Sequence, residues 1–201
     1  MERGRAPRML GGVGRLAGVG SALLLALGAG SRAEPALLTL DPEEGEIRFR
    51  LGATLHTVRG SLRLASGEVE LDLERGAISG RVALDARSAQ TGIAARDRRM
   101  HEEVLESDRF PEIVFLPREL RGLRRAGQVV EAEVAGVVRI RGLERDLVVP
   151  LRARFEQSGG AWIEGSFAVP YLRWGLRDVS SFLLRVEPEV QVSVKARASL
   201  R

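Results

Sequence analysis

From Gly45 to Ala198 the chain alternates apolar with charged residues at a period of two, and a helical pattern interrupts that rhythm once. Successive side chains of a β-strand point to opposite faces, so the alternation predicts strands buried on one side and wet on the other. Ile47, Phe49 and Leu51 alternate with Arg48 and Arg50; Val69, Leu71 and Leu73 alternate with Glu68, Glu70, Asp72 and Glu74. Leu147, Val149, Leu151, Ala153 and Phe155 repeat the pattern, and Val190, Val192, Val194, Ala196 and Ala198 oppose Gln191, Ser193, Lys195 and Arg197. A one-residue slip would bury the charged set, so register is strongly specified.

The pattern predicts a short strand near 36–40, then strands near 46–54, 56–65, 68–75 and 77–86. After the interruption come strands near 112–120, 128–141, 144–156, 161–172 and 186–198. Glu44-Gly45, Ser66-Gly67, Arg75-Gly76, Gly127 and Gly159-Gly160 read as reversals between them. Strands of ten or more residues exceed the usual five or six. The tilt of a closed sheet accommodates them, which favours an all-β antiparallel barrel of about eight strands over a two-layer sandwich.

Glycines also fall inside strands, at Gly52, Gly60, Gly80, Gly136 and Gly165. They read either as bends that let long strands coil or as room left in the interior. The expected inner face carries Phe49, Leu51, Leu62, Leu64, Leu71, Leu73, Val82, Leu84, Val138, Ile140, Val149, Leu151, Phe167 and Val169. A barrel filled by its own side chains would show the same pattern.

Between Ser88 and Phe115 the alternation stops. Thr91 is suited to cap one short helical insertion running to about Leu105, with Ile93, the stem of Arg96, Met100 and Val104 on one face. Pro111 then forces extended backbone. Ser107, His101 and Asp97 or Asp108 can be assembled on paper into a nucleophilic triad, but no glycine frames the serine and the spacing fits no nucleophile elbow. The chain has two histidines and no cysteine, so no metal centre is expected. No paired acid and base stand out, and an enzyme is not expected. The apolar stretch from Trp174 to Leu184, including Phe182, is expected to cap one barrel end.

The first 33 residues carry a basic start and an apolar stretch from Leu16 to Gly30, ending in Ser31-Arg32-Ala33. This is the pattern of a cleaved export signal, too short and glycine-rich for a comfortable membrane span. The expected division is a signal over 1–33 and one barrel domain over 34–201. The signal holds five arginines and one glutamate, so the remainder has 26 basic and 26 acidic residues. Formal neutrality argues against electrostatic capture of nucleic acid or of an anionic membrane by the domain as a whole. A local basic patch remains around Arg121, Arg124 and Arg125.

The segment Thr91-Gly92, Arg96-Asp97, Met100, then Pro111 leading into Ile113-Val114-Phe115, resembles the signature of the YceI-like family. The resemblance extends to Leu55-His56-Thr57-Val58-Arg59-Gly60, to Gly136 through Leu143 and to Val148-Val149-Pro150. The chain departs from it with Val137 and Arg139 where polar residues are usual, and with Trp174. The resemblance implies an exported lipocalin-like barrel whose apolar cavity takes up a polyisoprenoid or quinone-like lipid. Cavity residues would then be Phe49, Leu51, Leu62, Leu64, Val82, Leu84, Met100, Phe115, Val138, Ile140, Phe167, Trp174 and Phe182, with Arg96, His56 and His101 toward a polar head group. The expected partners are such an apolar ligand and, as an open alternative, a second copy of the chain, in a periplasmic or secreted setting. No cofactor is expected beyond a bound isoprenoid lipid or quinone. The competing reading is a stress-response or interaction protein with a filled barrel that binds a partner through its outer surface.

Overall fold

The computed structural model describes residues 35–54, 56–157, 159–178, 180 and 185–200; the expected export signal over 1–33 and Phe182 lie outside the described residues. The alternation resolves into β1 (Ala36–Leu40), β2 (Glu46–Gly52), β3 (Thr57–Asp72), β4 (Ala77–Gln90), β5 (Glu112–Ala126), β6 (Val129–Ile140), β7 (Leu143–Phe155), β8 (Gly160–Val169) and β9 (Val190–Leu200). All pairs are antiparallel, in the order β3, β2, β9, β8, β7, β6, β5, β4, and β4 pairs back onto β3 to close the ring. β1 also lies between β3 and β9, with Leu38 opposite Val69 and Leu200, while Ile47 of β2 lies opposite Leu62 and Val194. β1 and β2 therefore run in one direction as two pieces of a single position. The barrel has eight positions, and every strand is paired on both sides over at least part of its length.

Two of the expected reversals are not reversals. The two strands expected over 56–65 and 68–75 are not a hairpin but one continuous strand, β3, which ends at Asp72, and Glu44-Gly45 lies in the interruption between β1 and β2. The glycines there serve close packing. A Cβ on Gly67 would lie 2.5 Å from Leu40 Cδ1, and one on Gly45 would lie 2.9 Å from Leu64 Cβ. Between Leu64 and Ser66 the register shifts, β3 advancing two residues against one of β4. This bulge lets Leu62 and Leu64, at even positions, and Val69 and Leu71, at odd positions, face the same interior. Gly76, Gly127 and Gly159 do sit in true turns, each with a positive φ.

The in-strand glycines face large partners. A Cβ on Gly60 would meet Phe49 Cζ at 2.2 Å, and one on Gly165 would meet Leu151 Cδ2 at 2.6 Å; Phe49 and Leu151 are their direct cross-strand partners. The volume that these glycines leave is thus already taken by neighbouring side chains.

The β3–β4, β5–β6 and β7–β8 turns gather at one end of the barrel, here the hairpin end. The other end carries the β2–β3 and β6–β7 connections, the insertion between β4 and β5 and the β8–β9 connection. The insertion is α1 (Ala94–Arg99) continued by a π-helical turn, Met100–Leu105. Thr91 does not cap it. Ile93 holds the N-cap position in extended conformation without a side-chain cap, because the Thr91 hydroxyl is engaged by Asp97 and Arg96.

Substituting Gly60→Ala forces a methyl group against the Phe49 ring and the Gln90 carbonyl, 2.5 Å away. The expected loss of stability is about 1–3 kcal/mol, read from chemical denaturation midpoints at unchanged slope.

Candidate functional site

A cavity of about 850 Å³ occupies the barrel interior. The strand pattern supplies its wall: Phe49 and Leu51 from β2, Leu62 and Leu64 from β3, Val82 and Leu84 from β4, Phe115 from β5, Val138 and Ile140 from β6, and Phe167 from β8 all line it. Met100 and Trp174 close over it from the insertion and from the β8–β9 connection. Ile93, Arg96, Met100 and Val104 all reach the wall, as one helix face at a spacing of three to four residues requires. Leu73 lies past the end of β3 and takes no part in the wall, a correction to the expected inner face.

Other wall residues were readable but not singled out. Ile163 and Val134 follow Phe167 and Val138 at even spacing, and Val190, Val192 and Val194 complete the β9 side. Tyr171 continues the parity of Phe167 and Val169 within the expected strand 161–172, but β8 ends at Val169 and Tyr171 sits in the turn after it; Leu176, just past that turn, had no periodic signal. With Trp174 and Val138 they form the buried cluster at the helical end, against which Val104, Ile113, Phe115 and Ile140 pack. A second cluster of Leu38, Val69 and Ala198 tightens the hairpin end.

Polar groups on the wall are few and mostly committed to the fold. Arg96 Nε donates to the Thr91 hydroxyl at 2.8 Å and its Nη2 to the Thr91 carbonyl at 3.1 Å. His56 lines the cavity at the helical end. His101 does not line it. Its ring Nδ1 lies 2.9 Å from the Ser107 hydroxyl, and Ser107 is buried away from the wall. The assumed position of His101 toward a head group is therefore corrected. The Ser107–His101 pair is real, but its serine faces no cavity, and Asp97 is occupied by Thr91. Burial pushes the Tyr171 phenol above its ordinary pKa, with the Asp178 charge adding to the shift, so it stays neutral; its hydroxyl has no partner among the described residues.

The helical end is tied together by charge. Arg141, in the β6–β7 turn, pairs with Glu106 after the π-helical turn. Arg177 Nε lies 3.4 Å from Glu103, and Arg145 donates to the Trp174 carbonyl at 2.9 Å. Two exposed hydrophobic residues also belong to the wall, Ile93 at 53% exposure and Leu123 at 36%. The wall thus runs out to the surface at both ends.

The family model described as YceI-like domain matches residues 38–198. Among solved structures, the crystal structure of Burkholderia cenocepacia BcnA superposes with a TM-score of 0.66 at 14% identity, covering 80% of this chain and 99% of that one. A polyisoprenoid binding domain from Saccharophagus degradans gives 0.61 at 14%, covering 82% and 98%. The Campylobacter jejuni YCEI protein gives 0.60 at 12%, covering 73% and 86%. At these identities the likeness establishes the fold. No curated protein matches the chain significantly.

Desolvation works against ionisation of Asp97, but hydrogen bonds from the Thr91 hydroxyl and backbone N–H, with the charges of Arg96 and His101, outweigh it and hold the carboxyl below its ordinary pKa. A depressed carboxylate stabilises the fold above its unfolded pKa, and that contribution fades as pH falls through the folded value. Protection of the amides of residues 94–105, taken relative to the intrinsic exchange rate at each pH, is expected to fall below about pH 4. In Asp97→Asn, protection of these amides should already be reduced at neutral pH, with no further acid step.

Proposed function

The chain belongs to the YceI-like family, and on that premise we propose that its cavity holds a polyisoprenoid or quinone-like lipid away from water, as an exported carrier or sequestering protein. The observation that carries this reading is the cavity itself. Its volume stands in the upper range of small-molecule sites, and its wall is apolar along the strands. Such a wall gives no directional recognition to a polar substrate. It suits a long hydrocarbon, each buried methylene of which contributes about 0.8 kcal/mol before the costs of ordering and association.

The Saccharophagus degradans domain of similar fold is described as polyisoprenoid binding, which supports the ligand class. The leader-like composition of residues 1–33 supports export. Sequestration needs no catalytic group, and the wall brings together no matched acid and base among the described residues. The cavity also separates this reading from that of an interaction protein with a filled barrel, which would leave no room for a lipid.

The test is native mass spectrometry of protein recovered from its own host, with organic extraction of the bound material. A mass increment that extracts as a prenyl lipid is the expected result. Bare protein with an empty extract would count against a carrier. Val194→Trp places a large ring in the mid-barrel wall, where existing space accommodates it. The variant should keep its fold by circular dichroism and lose most of the bound lipid.

A further inference from the structure

We infer that the tip of the β5–β6 hairpin is a docking face for an anionic lipid bilayer, placed beside the hairpin end of the cavity; the inference rests on the lipid-carrier reading above. Between Arg121 and Arg124, β5 advances three residues while β6 advances two, from Glu133 to Glu131. This bulge holds Gly122 at a φ of 58°, with nothing within 4 Å of where a Cβ would stand. It also turns Leu123 to the surface while that residue still belongs to the cavity wall. The apolar lining therefore continues onto the outside of the molecule at a side chain able to enter a bilayer interface.

Cations surround it. Among the described residues no carboxylate lies within 4 Å of Arg118, Arg124 or Arg125, whereas Arg121 is held by Glu119 at 2.7 Å and faces Glu133. Glu131, opposite Arg124, is drawn to Arg152 at 3.7 Å. Arg125 pairs across the ladder with Val130, a wall residue, so it projects from the inner face at the rim. The helical end differs. Of the arginines on the helix after its exposed Ile93, Arg96 is held by Thr91 and Arg99 by Glu103 at 3.4 Å, and Arg98 alone has no carboxylate within 4 Å among the described residues, with Glu102 and Glu106 following in sequence.

Guanidinium groups without a carboxylate partner stand beside an exposed leucine and match the phosphate oxygens and hydrocarbon boundary of an anionic membrane. Of these, Arg125 donates through Nε to the Gly127 carbonyl at 3.3 Å and keeps its terminal nitrogens for a ligand. The neutrality of the domain does not oppose this, because at physiological salt charges act over about 8 Å and the local patch decides the contact. An acidic protein partner would satisfy the arginines. It would not account for a leucine that continues the cavity wall, and a bilayer does: docked there, an apolar chain passes into the cavity without crossing water.

The test is co-sedimentation of the barrel domain, residues 34–201, with phosphatidylcholine vesicles with and without phosphatidylglycerol. We expect binding that requires the anionic lipid and falls with added salt. The triple variant Arg118→Glu, Arg124→Glu, Arg125→Glu should lose at least about tenfold in binding, and Leu123→Asp should weaken it as well. Arg98→Glu at the helical end should bind as the parent does. Uptake of geranylgeraniol in vesicle-free buffer, followed by displacement of a fluorescent polyene, should be unchanged in the triple variant, which also reports its folding. Vesicle binding indifferent to phosphatidylglycerol, to the triple substitution, or absent altogether would overturn the docking face. Failure of geranylgeraniol uptake in the parent would instead overturn the carrier reading.

Discussion

The ladder between β3 and β4 is the interaction on which the rest of the structure depends, because it turns a row of strands into a ring. Once the ring is closed, each strand has an inside and an outside, and an apolar side chain on the wrong parity must face water. Without that ladder, β3 and β4 would each present a row of unpaired backbone groups. The chain has no cysteine to hold the ends by other means. Closure also creates the hollow, since eight positions are enough to leave space between facing walls.

How much of this was legible follows from the same parity. Strands that keep one phase, such as β6, β7 and β9, were readable almost to their ends, and so were Val138, Ile140 and Val194 as wall residues. β3 was misread as two strands where its phase changes between Leu64 and Val69. A change of parity marks a bulge as readily as a turn, and a nearby Ser-Gly pair made the turn the more obvious reading. What decides the matter is Leu40, which passes over Gly67 from a strand distant in sequence. Local text cannot contain that contact.

The helical end was legible in its face and not in its fastening. The spacing of Ile93, Arg96, Met100 and Val104 placed one side of the insertion on the interior. The Thr91 clamp was mistaken for a cap, because a threonine before a helix satisfies either role and only the reach of Asp97 back to it distinguishes them. Leu176 was invisible, since a connection carries no period, and Tyr171 shared the parity of Val169 but sits in the turn beyond β8; both matter here by closing an end of the wall. His101 misled for the opposite reason. A polar residue on the insertion invited a ligand role, and a buried serine six residues later had already taken its ring nitrogen.

The shifts of phase at the interruption between β1 and β2, at Leu64–Ser66 and along β5 act as counters that restore odd and even bookkeeping around the ring. Gain or loss of one residue elsewhere within a strand would invert every side chain beyond it, whereas at these places the miscount is absorbed. A chain of this architecture can therefore exchange most of its residues and keep its scaffold so long as parity within each strand is preserved; solved structures that share 12–14% of their residues with this chain have the same fold.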